Sequence, residues 1–214
     1  PPVYIVHFSQ KAAWEQANAL LPVAIASKEE KERIAQLIAK FRFGPGFGKA
    51  LNKLVRAGIG IHHAGMLPKY RRLVEQLAQA GLLKVICGTD TLGVGINVPI
   101  RTVLITALSK FDGSKNRRLR AREFHQIAGR AGRAGFDTAG TVVVQAPEHD
   151  IENARLLAKA QAKFGDDTKK INQSLSSKRK KAPEGFVGWS EKTFDQLVAA
   201  EPEPLTSSFD ITHS

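Results

Sequence analysis

The amino-acid sequence predicts an α/β protein in which a mainly parallel sheet is covered on both faces by helices. Short runs of apolar, mostly β-branched residues recur along residues 1–150 and are typical of buried strands. Segments with helical periodicity and helix-capping residues separate these runs, and this alternation is typical of parallel sheets. Residues 151–214 lack such runs, which predicts a mostly helical and irregular C-terminal extension.

Five apolar runs are predicted to be the strands of this sheet. They span residues 3–8, 59–61, 82–88, 101–108 and 140–146. Their β-branched composition fits strands that are buried on both faces.

Helix-capping residues define the first two predicted helices. Ser9 is the expected N-cap of a helix that runs to about Leu21. Ser27 and Glu30 have the spacing of a capping box, which opens the second helix. The apolar stripe expected on that helix consists of Ile34, Leu37, Ile38 and Phe41.

Two further helices are predicted before the third strand. The first covers residues 49–57, and the second begins at Pro68 and ends at Ala80, with Gly81 after its last turn. Residues 110–122 are expected to form a charged connector that leads to a further helix.

The expected domain organisation follows from these elements. Residues 1–150 form the main domain, with a helical insert at about residues 22–57, and residues 151–204 form a basic helical and linker extension. Helices are expected within residues 151–164 and 188–199, and residues 205–214 resemble the opening of another domain.

The charge of the chain favours an anionic partner. The net charge is +12 and the isoelectric point is near 10, which indicates nucleic acid first and an anionic membrane second, or else solubilising surface charge. A single cysteine, Cys87, excludes a disulfide framework and fits a reducing compartment. No apolar run reaches the ~18 residues of a membrane-spanning helix.

Two segments resemble ligand sites but lack essential residues. A phosphate-binding P-loop would require Gly in place of Phe43 and Ser or Thr in place of Ala50, so residues 43–50 are predicted to be a turn. The pair His62–His63 has no Cys, Asp or third His at metal-ligand spacing, so no metal site is expected there.

Residues 126–133, with the sequence QIAGRAGR, carry the strongest chemical pattern. On one continuous helix, Gln126, Arg130 and Arg133 would share a face across a floor of Ala and Gly. Paired guanidiniums suit phosphate oxygens, which favours contact with a nucleotide phosphate. The alternative is a basic helix end whose arginines complement the helix dipole.

Residues 88–99, with the sequence GTDTLGVGINVP, follow a predicted buried strand. Loops in this position carry ligand contacts in many α/β proteins. Gly93 and Gly95 permit close approach of the backbone to a ligand, while Thr89 offers a hydroxyl and Asn97 an amide.

Taken in order, these motifs resemble the C-terminal RecA-like domain of superfamily 2 helicases, a three-layer α/β fold. The resemblance is closest to the superkiller-like branch, whose members are exosome-cofactor RNA helicases. It is carried by residues 3–9, 61–68, 88–99 and 126–137, and it covers about residues 1–150. Residues 205–209 also resemble that branch's entry into its winged-helix domain, so the chain is expected to be a fragment.

The resemblance implies roles for individual residues. Arg130 and Arg133 would contact the ATP phosphates, and Gln126 would lie between ATP and the N-terminal RecA-like domain of the same parent chain. The residues expected near the nucleotide are Gly93, Gly95 and Asn97. The residues expected to contact nucleic acid, by resemblance or by charge, are Ala64, Gly65, Arg72, Thr89, Lys178, Arg179, Lys180 and Lys181.

The sequence contains neither a Walker A motif nor an Asp–Glu pair, so this chain alone is expected not to hydrolyse ATP. The ligands of Mg²⁺ are expected on the N-terminal RecA-like domain. The implied partners are single-stranded RNA rather than DNA, that second domain and an RNA-degradation complex. A cytoplasmic location is expected, with no membrane partner.

Two other functions are compatible with the same sequence. The first is the same half of a DNA repair helicase, and the second is a non-catalytic nucleic-acid-binding adaptor. A Rossmann-type enzyme is disfavoured because Ser9, Gln10 and Lys11 do not supply the Gly-rich turn expected after the first strand.

Overall fold

A five-stranded parallel sheet forms the centre of the structure, a computed structural model that describes residues 2–90, 98–132 and 139–203. The strands are β1 (Val3–His7), β2 (Ile59–His62), β3 (Val85–Thr89), β4 (Thr102–Ile105), β5 (Ser109–Phe111), β6 (Asn116–Arg118) and β7 (Thr141–Val144). The order in the main sheet is β2-β3-β1-β4-β7, and every neighbouring pair is parallel. The predicted fold class, a RecA-like α/β domain with a helical extension, is therefore confirmed.

Helices connect the strands and build the extension. They are α1 (Gln10–Ala19), α2 (Lys28–Leu37), α3 (Phe47–Arg56), α4 (Pro68–Gln79), α5 (Ala121–Ala128), α6 (Glu148–Phe164), α7 (Thr168–Ser176) and α8 (Glu191–Ala199). Both predicted N-caps are present. The Ser9 hydroxyl accepts a hydrogen bond from the Ala12 amide at 3.1 Å, and Ser27 and Glu30 form the reciprocal capping box.

The core lies where the helices meet the central strand β1 and its neighbours. Buried side chains of β1 include Tyr4 and Val6, and α1 contributes Ala13 and Ala17, small residues that let it approach the sheet closely. Gly88 of β3 packs closely against β2. A Cβ atom there would lie 2.6 Å from the His62 carbonyl oxygen of β2, which leaves no room for a larger residue.

Three predicted elements differ from the structure. Leu37 was expected in the apolar stripe of α2 but is 61% exposed, because α2 ends there and only Ile34 of that helix is buried. Helix α6 begins at Glu148, three residues before the predicted start. Helix α7 was missed within a polar stretch, where the Asp167 side chain caps it by accepting from the Lys170 amide at 3.1 Å.

The predicted charged connector contains an antiparallel hairpin, β5–β6. Its turn is closed by Asp112, whose Oδ1 accepts from the amides of Ser114 and Lys115 at 3.0 and 2.9 Å. Gly113 takes a φ of 101° there, a conformation that favours glycine. The hairpin strands have only three residues each and carry charged side chains, so neither gives a recognisable strand pattern.

A cluster of ion pairs fastens this hairpin to the sheet and to α5. Lys110 Nζ lies 2.9 Å from Asp90 Oδ2 and 2.9 Å from Glu123 Oε1. Arg117 binds Glu123 through both terminal nitrogens at 2.8 Å, and its Nε lies 3.4 Å from Asp112. These side chains are only about one-fifth to one-quarter exposed, so the cluster is partly shielded from solvent. The hydrogen bonds from Arg117 are the main cause that lowers the pKa of Glu123 to about 2.

The C-terminal extension packs back onto α5. The rings of Phe124 and Phe194 meet edge to face at 5.8 Å. His125 Nε2 lies 2.8 Å from the Ala200 carbonyl oxygen, and a Glu203 carboxylate oxygen accepts from the Arg122 amide at 2.9 Å. Helix α5 is thus held from one side by the ion cluster and from another by α8 and the residues after it.

We predict that Glu123→Gln lowers the free energy of unfolding by roughly 1–3 kcal/mol at pH 7, because two cations are then left without their shared carboxylate. A lowered pKa means that Glu123 stabilises the fold above its unfolded-state pKa near 4.5 and loses this effect as the pH falls toward about 2. The difference from the unsubstituted chain should therefore shrink below about pH 4.5.

Urea unfolding between pH 7 and pH 2.5 measures this difference. The exposed Glu32 on α2 provides the matched control, since Glu32→Gln should have little effect at any pH. An effect of Glu123→Gln that is constant with pH would show that the carboxylate charge does not stabilise the fold.

Candidate functional site

Neighbouring parallel strands bring the predicted nucleic-acid contacts to one edge of the sheet. His62 of β2 pairs with Gly88 of β3, and His7 of β1 pairs with Thr89, so the carboxyl ends of the three strands lie side by side. Ala64 and Gly65 form an exposed turn directly after β2. Thr89 and the Ala64–Gly65 turn therefore lie near one another, as expected for residues at adjacent strand ends.

The turn at Gly65 lies against the first residue of α1. A Cβ atom on Gly65 would lie 2.8 Å from Gln10 Oε1, so any larger residue would displace this amide side chain. The sequence pattern did not single out Gln10. Its place directly after β1 and the Ser9 cap is the signal that could have identified it.

The histidine pair beside this turn is part of the protein interior. His62 and His63 are both buried, and burial lowers the pKa of each. His62 Nε2 lies 3.1 Å from Glu75 Oε1 of α4, which accounts for one of its ring nitrogens. Within residues 2–90, 98–132 and 139–203, no group of three or more His, Cys, Asp or Glu side chains could hold a metal ion.

The expectation that Gln126, Arg130 and Arg133 share one helix is wrong. Helix α5 ends at Ala128, and the Arg130 amide bonds the Ile127 carbonyl oxygen at 3.1 Å in a tighter turn. Gly132 then takes a φ of 85° and donates to the Ile100 carbonyl oxygen at 2.9 Å, which directs the chain toward β4.

Close contact between two glycines explains why the helix stops. A Cβ atom on Gly140 would lie 2.7 Å from the Gly132 amide nitrogen, so the segment that leads into β7 crosses the turn at van der Waals distance. A helix continued through this point would collide with that segment. Gln126 is exposed on the last turn of α5, Arg130 is half-buried, and Arg133 lies outside the described residues.

Arg130 lies close to the end of β3. Burial raises the pKa of Tyr4 well above its ordinary value, the charge of Asp90 raises it further, and the charge of Arg130 opposes this. The Tyr4 hydroxyl also donates to the Thr89 carbonyl oxygen at 2.8 Å. The charges of Arg130 and Asp90 therefore both act on the buried hydroxyl group that bonds Thr89.

The remaining predicted site residues are more widely spread. Arg72 is exposed on α4. Lys178, Arg179, Lys180 and Lys181 are exposed after α7, and the Lys180 amide bonds Asn153 Oδ1 of α6 at 2.8 Å. Gly93, Gly95 and Asn97 lie outside the described residues, so their predicted contacts stay predictions.

Lys180 and Lys181 border a second part of the same sheet edge. They line a cavity of about 810 Å³ together with Thr106 and Gln145, which follow β4 and β7. Gly65 follows β2 at the other end of the sheet. Four strand spacings of ~4.8 Å separate β2 from β7, so these two parts of the edge lie roughly 19 Å apart.

The ion cluster was also missed by sequence reasoning, although its members are close to the predicted motifs. Asp90 follows Thr89 directly, and Glu123 lies on the helix that precedes Arg130. Lys110 connects the two, which the sequence could not reveal because it depends on the β5–β6 hairpin.

None of the helices in the described part of the chain has the length and apolar character of a membrane-spanning helix.

Comparison with known protein families gives two matches. The family described as "Helicase conserved C-terminal domain" matches residues 18–135, more than half of the chain. A second family, "Domain of unknown function (DUF3516)", matches residues 146–214.

Segments of several known helicases are similar in sequence to this chain. The DExH-box ATP-dependent RNA helicase DExH11 of Arabidopsis thaliana is 41% identical over 150 residues, which cover 67% of the chain and 11% of that protein. Superkiller complex protein 2 of Mus musculus is 38% identical over 153 residues, 67% of the chain and 12% of that protein. The antiviral helicase SKI2 of Saccharomyces cerevisiae is 39% identical over 153 residues, 68% of the chain and 12% of that protein.

The chain thus spans only about an eighth of the length of these relatives. The similarity nevertheless includes the turn after β2, the end of β3 and the segment around Arg130, all within the matched residues 18–135. The chain belongs to the helicase conserved C-terminal domain family, within the superkiller-like branch of superfamily 2.

Proposed function

We propose that this chain is the C-terminal half of the motor of an ATP-dependent RNA helicase. The observation that carries the proposal is the match of residues 18–135 to the helicase conserved C-terminal domain family, which includes both Arg130 and the strand end at Thr89. A group suited to phosphate and a strand end suited to nucleic acid thus belong to one rigid part of the fold. The RNA assignment rests on the name of the Arabidopsis relative, an ATP-dependent RNA helicase.

On the nucleotide side, Arg130 and Arg133 bind the phosphates of ATP and stabilise charge that develops there. The planar guanidinium fork matches phosphate oxygens in geometry and charge. Gln126 lies between ATP and a second RecA-like domain, while Gly93, Gly95 and Asn97 approach the nucleoside. The ligands of Mg²⁺ belong to that second domain.

On the nucleic-acid side, a single strand runs along the carboxyl edge of the sheet. Its backbone contacts Thr89 and the Ala64–Gly65 turn near β2, and Lys178–Lys181 near β7. The spacing of roughly 19 Å between these ends suits an extended strand. Backbone and phosphate contacts of this kind give affinity without much sequence preference.

The ion cluster connects the two sides. Asp90 at the end of β3 is tied through Lys110 to Glu123, one helix turn before Gln126. A displacement of the segment around Arg130 is therefore passed to the end of β3, where nucleic acid binds. We also propose that this chain works together with a second RecA-like domain of its parent protein and with an RNA-degradation complex. The proposed location is the cytoplasm.

The proposal predicts a large catalytic effect at Arg130. In a protein that carries both RecA-like domains, Arg130→Ala should reduce RNA-stimulated ATPase activity at least ~10²-fold, since an arginine finger contributes roughly 10³–10⁵ in rate. Arg130→Lys should remain poor because an ammonium group cannot reproduce the bidentate fork. Steady-state ATPase assays, with melting temperatures measured alongside, provide the test.

Arg155→Ala on α6 is the matched control for Arg130→Ala, since Arg155 is exposed and lies outside the proposed site. This control should keep its activity. The finger assignment is wrong if Arg130→Ala retains most of the ATPase activity, or loses it only together with the fold.

The basic run 178–181 is predicted to bind phosphate. Replacing Lys178, Arg179, Lys180 and Lys181 with Ala should weaken binding of single-stranded RNA and reduce the steepness of its salt dependence by ~0.7 for each phosphate that the protein no longer neutralises. Fluorescence anisotropy with labelled RNA at several salt concentrations measures the slope.

A charge-matched control separates local binding from net charge. Lys28, Lys31, Lys159 and Lys163 are exposed on α2 and α6, and replacing all four with Ala removes the same charge. An identical change of slope in both variants would show that the run 178–181 acts only through the overall charge.

A further inference from the structure

A cavity lined in part by Gly65 contains aromatic and basic side chains that the function proposed above does not use. Its volume is about 650 Å³, within the ~300–1,000 Å³ typical of small-molecule sites. It lies between the amino-terminal turns of α1, α3 and α4, which contribute Lys11, Phe47 and Lys69 to its lining. The segment 43–50, which lacks the residues of a phosphate-binding P-loop, forms another wall.

Aromatic rings form the floor of this cavity. Trp14 and Phe47 lie with ring centroids 5.3 Å apart, and Tyr70 lies 5.6 Å from Phe47. Trp14 and Phe47 are only half-buried, so part of each ring remains accessible. The Tyr70 hydroxyl accepts from the Gly44 amide at 2.9 Å and thereby holds the wall in place.

The rim of the cavity is electropositive. The amino termini of three helices converge on it, and neither α3 nor α4 has a side-chain hydrogen bond capping its first turn. Helix amino termini carry partial positive charge and attract anions. Lys11 and Lys69 are exposed beside them, although Glu15 offsets part of the Lys11 charge at 3.8 Å.

We propose that this cavity binds one unpaired nucleotide of the single strand, with its base on Trp14 and Phe47 and its phosphate beside Lys11 and Lys69. The inference rests on the proposed function, because it extends the strand's path from Gly65 into the cavity. The two sites are continuous, because Gly65 and the neighbouring side chain of Gln10 both line the cavity.

The combination of groups selects this ligand class. A site for phosphate alone gains nothing from three aromatic rings, and a site for an apolar peptide gains nothing from two lysines and three helix amino termini. A nucleotide uses both parts. Base stacking on aromatic side chains tolerates any sequence, as expected for a motor that moves along a strand.

Tryptophan fluorescence can report on the cavity directly. The chain has two tryptophans, Trp14 and Trp189, so a Trp189→Phe variant reports from Trp14 alone. The probes are an oligouridylate of about ten nucleotides, an abasic strand with the same number of phosphates, and uridine monophosphate. We expect saturable quenching by the oligouridylate, little quenching by the abasic strand, and much weaker binding of the mononucleotide.

Substitutions separate stacking from charge. Trp14→Ala should weaken oligouridylate binding about 5- to 150-fold, the equivalent of the ~1–3 kcal/mol of one stacked base at ~1.4 kcal/mol per tenfold. Affinity for the abasic strand should stay the same, and Trp14→Phe should restore most of the affinity for the oligouridylate.

Charge reversal at the rim provides a test that does not depend on core packing. The double variant Lys11→Glu, Lys69→Glu should weaken binding of both strands. It should do so more than Lys159→Glu, Lys163→Glu, which makes the same change of charge on exposed positions of α6.

Each alternative result has a distinct meaning. Strand binding that persists without Trp14 quenching, and that Trp14→Ala leaves unchanged, would overturn the nucleotide pocket while the proposed function stands, and would leave the cavity to a protein partner. Equal affinity for uridine monophosphate and the oligouridylate would assign the cavity to a free nucleotide. It would overturn the proposal that the cavity binds a nucleotide of a single strand. Failure of both strands to bind the unsubstituted chain would contradict the proposed function itself.

Discussion

The carboxylate of Glu123 is the group on which the arrangement of the site depends. It accepts hydrogen bonds from the two terminal nitrogens of Arg117 and from the Arg120 amide, and it shares Lys110 with Asp90. One acidic group thus joins the end of β3, the β5–β6 hairpin and α5. An unpaired carboxylate that is partly shielded from water would destabilise the fold. The three segments therefore keep one relative position.

Around this carboxylate, the parallel sheet brings together residues of the candidate site from distant parts of the chain. The ends of β2, β3 and β1 bring Gly65, Thr89 and Gln10 together, although they come from separate segments. The extension adds a second constraint, since α8 packs on the α5 residue Phe124. The helix before Arg130 is thereby held between the ion cluster and the extension, which fits the role proposed for Arg130, since a binding group needs rigid support.

The sequence predicts the sheet well because strand composition and helix caps are local signals. Ser9 and the pair Ser27–Glu30 illustrate this, since their side chains cap helices as expected. Features set by distant parts of the chain were missed. The helix toward Arg133 stops because Gly132 meets Gly140, and the β5–β6 hairpin forms around ion pairs between separate segments. The aromatic cavity likewise joins residues from three helices, whereas the composition alone indicated only an anionic partner.

The ion cluster is proposed to couple the nucleotide side of this domain to its nucleic-acid side. In a protein with both RecA-like domains, the direct measurement is RNA affinity with and without a non-hydrolysable ATP analogue, where coupling typically amounts to ~5- to 150-fold. Lys110→Met should bring this ratio close to one, while Lys84→Met, which breaks the separate ion pair with Glu30, should leave it unchanged. A coupling ratio that survives Lys110→Met in a folded protein would show that the ion cluster does not connect the two sites.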